Sequence, residues 1–380
     1  MANDRFLLIK AWSYILWADV EHVLSQILIA ELTDRTPVVY WPTHCIHNGF
    51  VHTNGFELYF EPVSNFTIFD VAKPEYTYYP PVWDSDNLLA DDPDRETWVY
   101  RNLGDMMTRT EDVLVGDVYF DMYTLIPFIK KSHPAYGMTV RQIYRYLFKK
   151  YIRVKPDIDI EIQGFYNSWL RESAPILAVH VCKPESNTVD LRTAGKDAYK
   201  FISKSYRQKA KDPAEKKVKI SWFPWKRNTL QPNQAYHKEI KKYIDLYNVK
   251  KIFLLTNSEE ILKEYQGKYG DMVVATQCRR TTADGGPSYL ESPMVKRRQG
   301  IEIVKDTYLA SMCEYFIGND FSSLSQAVVN SREWVASNVS LLYWKVRKRK
   351  YPINMKIIFR ERKEYFRRLK EKLEKRFQKK

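Results

Sequence analysis

Short unbroken apolar runs alternate with helical apolar stripes along this chain, and that alternation predicts an α/β protein. Phe6-Leu-Leu-Ile9 reads as a buried strand, and Thr36-Pro-Val-Val-Tyr-Trp41 reads as a second. Between them, Asp19 to Leu32 puts Val20, Val23, Leu24, Ile27 and Leu28 on one helical face, with Asp19 placed to cap it. A parallel crossover is the natural connection for such a unit. Residues from about 42 to 130 are rich in Tyr, Pro and Asp and carry few long periodic runs, so they predict short strands and loops that elaborate this first unit. Thr139 to Arg153 is an amphipathic helix, and Gly164 to Ser173 starts the crossing into a second unit.

The second half repeats the rhythm. Strands are expected at Ile176–Val181, Lys251–Thr256, Met272–Ala275 and Tyr315–Gly318. Helices are expected at Gln234–Asn248, Ser258–Tyr269, Ile301–Cys313 and Ser325–Arg332. Ser258 is an N-cap, and Ile261 stands where a capping box needs Glu or Gln, so no box is expected there. Residues 186–232 are polar, Lys-rich and aperiodic, and read as a long loop or insertion. Strands alternating with helices in both halves predict two Rossmann-like domains facing a cleft, at 1–170 and 171–340. A chain of 380 residues is also too long for one ordinary core.

Charge changes the picture at one place only. Residues 345–380 carry 17 Lys and Arg against 4 Glu, whereas the remainder holds 43 basic and 42 acidic residues. The body is nearly neutral, which argues against a nucleic-acid-binding face. In the tail, Phe359, Phe366, Leu369, Leu373 and Phe377 recur at helical spacing among basic residues, the pattern of a basic amphipathic helix on an anionic membrane surface. A solvated helix, a coiled-coil segment or RNA adhesion are the alternatives for the same pattern. Cys45, Cys182, Cys278 and Cys313 show neither CxxC nor zinc spacing and read as reduced cytosolic thiols. The opening Arg5-Phe-Leu-Leu-Ile-Lys10 is too short and charged for a signal sequence, and no window spans a bilayer, so a cytoplasmic protein held peripherally at the inner face of a bacterial membrane is expected.

Two separated segments carry a family resemblance. Leu177-Ala-Val-His-Val-Cys-Lys-Pro-Glu185 resembles the H-x-R-[RG]-T-D motif of GDP-fucose fucosyltransferases, the superfamily of α1,6-, α1,2- and protein O-fucosyltransferases and the nodulation fucosyltransferase. Ile252–Asn257, Gly300–Asp306 and Glu314–Ser323 resemble its later motifs, strand-Thr-Asp, a helix carrying an Asp, and D-F-x-[VI]-x-T-x-S-S. Ala18–Gln26 sits where the family has its first helix. The resemblance spans about residues 5–41 and 174–330. It implies a GT-B-like glycosyltransferase of two Rossmann-like domains, with an N-terminal acceptor domain and a C-terminal nucleotide-sugar donor domain. It further implies an inverting, metal-independent reaction, with a GDP-sugar as the expected donor substrate and no cofactor.

The candidate donor-binding residues are His180, Lys183, Thr256, Asn257, Arg297, Arg298, Asp306, Ser322, Ser323 and Ser325. A nucleotide diphosphate needs hydroxyls, backbone N–H groups and cations around its oxygens, and these residues lie where strands open into loops and helix starts. For the serines the structural alternative is helix capping, for the two arginines a solvated basic loop, and for His180 a hydrogen-bonded core histidine. The motif's arginine, which the resemblance assigns to the donor β-phosphate, is Cys182 here, followed by Lys183, Pro184 and Glu185. Lysine lacks the planar fork of arginine. Three outcomes stay open: Lys183 or a neighbouring Arg supplies the cation, the donor differs, or the site is silent and the protein is a glycan-binding scaffold. Glu185 is the first candidate base because it holds the motif's acidic position; Asp19 and then Glu21 follow. Trp222 and Trp225 could stack on an acceptor sugar, or tuck against the core. Asp84-Ser-Asp86 is a DxD triplet in an acidic loop that chance explains. The expected partners are a nucleotide sugar, a glycan or lipid-linked acceptor and the anionic membrane surface, with no specific nucleic acid.

Overall fold

In the computed structural model the described residues are 5–11, 15–43, 48, 50–90, 102–181, 233–280, 292–320 and 322–342. They form two parallel α/β sheets. The first has strands β1 (Phe6–Lys10), β2 (Thr36–Tyr40), β3 (Tyr78–Tyr79) and β4 (Val113–Gly116) in the order β2-β1-β4-β3. The second has β5 (Ile176–His180), β6 (Lys251–Leu255), β7 (Val273–Val274), β8 (Tyr315–Asn319) and β9 (Val339–Leu342) in the order β7-β6-β5-β8-β9. All the strand pairs are parallel. β1, β5 and most of β2, β4 and β6 are buried along their length, because helices cover a parallel sheet on both faces.

In each sheet the chain first builds outward on one side of the founding strand and then returns to its other side. The order therefore reverses between β1 and β4, and again between β5 and β8. These are the topological switch points, outside whose carboxyl ends open α/β sheets bind ligands.

Seven longer helices frame the sheets. α1 (Leu16–Leu32) follows β1, and α2 (Val140–Tyr151) and α3 (Pro156–Phe165) lead towards β5. α4 (Asn233–Tyr247), α5 (Glu259–Tyr269), α6 (Pro293–Met312) and α7 (Ser323–Ser331) belong to the second sheet. Thr139 caps α2 in a full capping box with Gln142, whereas Ser258 caps α5 alone through Ile261 N–H at 3.4 Å. A single hydrophobic cluster runs through both units, from Leu7 and Ile27 to Ala178, Val304 and Val328. Trp17 of α1 is central to it: its ring lies against Phe60, stacks on Phe148 of α2, and meets Tyr308 of α6. Burying such an aromatic contributes roughly 1.5–3 kcal/mol.

Several expectations need correction. α1 begins at Leu16 with Ile15 in the N-cap position, so Asp19 lies in the first turn and does not cap. α6 begins at Pro293, eight residues before the expected Ile301, so Arg297 and Arg298 are inside the helix and not on a loop ahead of it. Ser292 provides the start signal that the periodicity hid, accepting from Val295 N–H. β9 was not anticipated. The expected insertion at 186–232 and the basic tail at 345–380 lie outside the described residues. Among the described residues, no helix is long and apolar enough to cross a membrane.

Candidate functional site

The second switch point is closed by one hydroxyl. His180 ends β5, and its Nδ1 lies 2.8 Å from Ser325 Oγ in the first turn of α7. The same oxygen accepts from Asn319 N–H at the end of β8, at 3.0 Å. Ser325 Oγ has one proton and two lone pairs, so while it accepts from Asn319 N–H it either gives its proton to a bare His180 Nδ1 or accepts from a protonated one. The imidazole carries its proton on Nε2 in the first case, free to donate, and on Nδ1 in the second. Burial lowers its pKa to about 4, which keeps the ring neutral at physiological pH. Gly318 makes this closure possible: a Cβ there would lie 2.6 Å from Ser325 Oγ and 2.7 Å from the Phe316 ring.

Around this link the sequence places small polar groups. Ser322 caps α7, its Oγ 3.5 Å from Ser325 N–H. Ser323 Oγ is buried and has no hydrogen-bond partner among the described residues. The α7 amino terminus adds a positive dipole end suited to an anion. At the end of β6, Thr256 turns its hydroxyl to Ser258 N–H at 3.2 Å, and Asn257 is half-buried at the strand tip. Thus His180, Ser322, Ser323 and Ser325 gather at the switch point, with Thr256 and Asn257 at the neighbouring strand end.

Asp306 belongs to the outer edge of the same sheet. It lies on α6, 8% exposed, and accepts from Thr276 Oγ at 2.6 Å. Desolvation raises its pKa to about 7, with Glu302 adding to the rise and Arg280 and Lys305 opposing it. Thr276 and Arg280 were not singled out from the sequence. The signal was the strand expected at Met272–Ala275, whose carboxyl end opens on these residues.

The two arginines expected at the phosphate are engaged elsewhere. Arg298 grips Glu161 of α3 with both terminal nitrogens at 2.9 Å, and also pairs with Glu302. Arg297 reaches Asp157 of α3 at 3.3 Å. Lys305 lies 2.9 Å from Glu302 and 3.4 Å from Glu161. These contacts tie α6 to α3, because the early start of α6 carries the basic turn alongside acidic α3. Lys183, Glu185, Trp222 and Trp225 lie outside the described residues, as does Cys182.

The first switch point carries a different set. His22 of α1 is fully buried, with Nε2 3.2 Å from Gly116 O, and burial lowers its pKa to about 4. Lys10 ends β1 buried, donating to Leu88 O at 2.6 Å and Ala90 O at 2.9 Å. Asp19 is 0% exposed, so it is sealed from an incoming hydroxyl, which corrects its place as a candidate base. Glu21, one turn beyond Trp17 on α1, is half-buried; desolvation first, and then Asp121, raise its pKa to about 7. Asp84 accepts from the Asp86 and Asn87 N–H groups at 3.0 and 3.1 Å, so the DxD triplet forms a turn.

No protein-family description and no curated protein sequence matches the chain. Solved structures do. The α1,6-fucosyltransferase NodZ soaked with GDP-fucose is similar at 18% identity and a TM-score of 0.48, over 88% of this chain and 96% of that one. Fucosyltransferase NodZ from Bradyrhizobium aligns at 17% identity and a TM-score of 0.46, over 86% of this chain and 92% of that one. POFUT1 in complex with GDP aligns at 13% identity and a TM-score of 0.46, over 90% and 99%.

Proposed function

We propose that this protein is a glycosyltransferase that binds a nucleotide diphosphate sugar at the carboxyl ends of β5, β6 and β8 and transfers the sugar to an acceptor hydroxyl. The observation that carries this reading is the His180–Ser325–Asn319 link across the β5/β8 switch point. It joins three elements of a ligand crevice at a neutral imidazole, which in this proposal takes the Ser325 proton on Nδ1 and so has an Nε2 proton to donate. The motifs around His180 and Ser322–Ser323 support the same reading, and name fucose or a related sugar on GDP as the donor.

In the transfer, the bond between the anomeric carbon and the diphosphate oxygen breaks while the acceptor oxygen bonds the opposite face of that carbon. The leaving diphosphate gains negative charge. His180 Nε2–H, the Ser323 hydroxyl and the α7 amino terminus are preorganised donors for it, and such donors are worth several kcal/mol in a desolvated site. This is a metal-independent way to stabilise the leaving group. The acceptor's proton passes to a carboxylate. Glu185 holds the motif position for that task. Glu21 is the described alternative, because a carboxyl titrating near neutrality is matched to general-base work at that pH. The acceptor in this proposal is a surface-polysaccharide or lipid-linked glycan, reached by an enzyme held at the inner membrane face through residues 345–380.

Thermal stabilisation by GDP, UDP, ADP, CMP and dTDP and their sugar conjugates tests the reading. A micromolar site under millimolar ligand gains roughly 4 kcal/mol, a shift easily seen in Tm. Selective stabilisation by one nucleotide supports a working donor site and names its class. No shift with any of them in a folded sample rejects the transferase reading in favour of a silent scaffold, the reading that cysteine at position 182 favours.

A further inference from the structure

We infer that Arg280 is the cation that holds the diphosphate of the donor nucleotide. The inference rests on the donor-site reading above, and goes beyond it by assigning the charge that the chain lacks at position 182. A diphosphate in a crevice needs at least one guanidinium or ammonium with donors to spare. Three basic side chains of α6 are spent: Arg297 on Asp157, Arg298 on Glu161 and Glu302, and Lys305 on Glu302 and Glu161.

Arg280 differs from these three. It lies beyond β7 at the carboxyl side of the second sheet, and among the described residues its guanidinium hydrogen-bonds to backbone only, with Nη2 2.7 Å from Thr276 O and Nη1 3.4 Å from Cys278 O. Those two bonds fix the plane of the fork and use two of its five protons. Its Nε is buried and has no partner among the described residues, and the second proton of each Nη is left to donate. Asp306 is the acidic neighbour, yet its carboxyl is bound by Thr276 Oγ at 2.6 Å, and it forms no ion pair with Arg280. Burial also holds that carboxyl up to about 7, so near neutral pH it cancels the guanidinium charge only in part. The result is a braced, half-buried cation, two strands from β5. Neighbouring strands are about 4.8 Å apart, so β7 runs about 10 Å from β5, within the reach of an extended nucleotide diphosphate.

The test is calorimetric titration of the full-length protein and its Arg280→Ala and Arg280→Lys variants with GDP, GMP and guanosine. The wild type should bind GDP more tightly than guanosine. Arg280→Ala should weaken GDP roughly ten- to a hundredfold, the worth of a charge-assisted contact, and leave guanosine within about twofold. Arg280→Lys should fall between, because it keeps the charge and loses the fork. Equal weakening of guanosine and GDP would overturn the assignment, since it would put Arg280 at the base or in a purely bracing role. So would a lysine variant as impaired as the alanine one, or unchanged GDP affinity in a folded Arg280→Ala protein. A wild type that binds none of the three would instead reject the GDP-donor reading itself.

Discussion

Replacing Ser325 by alanine strikes the one oxygen that joins β5, β8 and α7. The hydroxyl makes two buried contacts, to His180 Nδ1 at 2.8 Å and from Asn319 N–H at 3.0 Å, and Ser325 is 0% exposed. Alanine removes both and strands two partners in a place that water reaches poorly. A buried polar group left unsatisfied costs about 1–3 kcal/mol, so the pair predicts a loss of about 2–4 kcal/mol. The space vacated is a single oxygen, so the cavity adds little. For a large domain each kcal/mol moves Tm by about 2–4 °C, and the expected fall is about 4–16 °C. Urea denaturation checks the free energy, and GDP titration of the folded variant checks the site, where the freed imidazole should weaken binding at least tenfold. Ser325→Thr keeps the hydroxyl and should recover more of the binding than of the stability, because its extra methyl must fit beside Gly318. A loss under 1 kcal/mol for the alanine variant would mean that the hydroxyl does not satisfy both partners.

Asp306→Asn should change the pH dependence of stability in a fixed direction. A carboxyl with folded pKa raised from 3.8 to about 7 favours the fold below its unfolded pKa and loses that contribution as pH rises through 7, about 4 kcal/mol in all. Asparagine still accepts from Thr276, so the variant should gain on wild type by at least about 1 kcal/mol between pH 5 and 8 in parallel urea titrations; an unchanged gap would contradict the assigned burial. His22→Gln should act on the opposite limb. A histidine held down to about 4 costs stability as pH falls below 6.5, so the variant should soften acid unfolding between pH 6.5 and 4, read by circular dichroism. Gly300→Ala should destabilise by about 1–3 kcal/mol, because its Cβ would run into the buried Tyr59 ring, and Tyr59→Leu in the same chain should restore part of that loss in a double-mutant cycle. Arg298→Ala should cost at most about 1 kcal/mol, its fork being half-exposed, and leave GDP affinity within twofold.

Both sheets were legible where the apolar runs were long and unbroken. Phe6–Ile9, Ile176–Val181 and Lys251–Thr256 each carry four or more consecutive core residues, and burial on both faces demands that composition. β3 and β9 were not, because β3 has two residues and β9 is only half-buried, so neither has a continuous signature. At the site, His180 stood out as a polar residue at a strand end and Ser325 as one at a helix start, yet only tertiary structure shows the hydrogen bond between them. The arginines show the converse. A basic pair near a site motif suggested phosphate, but the helix started early and α3 presented Asp157 and Glu161 in register with it. Charge partners 137 or 140 residues away leave no local trace. Arg280 was hidden for the same reason, since its value lies in what its neighbours do not offer it.

A crystal structure of the protein soaked with GDP would show whether a nucleotide diphosphate occupies the β5/β8 switch point. The diphosphate should lie within hydrogen-bond distance of His180 Nε2 and the α7 amino terminus, with Arg280 on its oxygens. GDP bound instead against Lys10 and His22 at the first sheet, or away from both switch points, would contradict it.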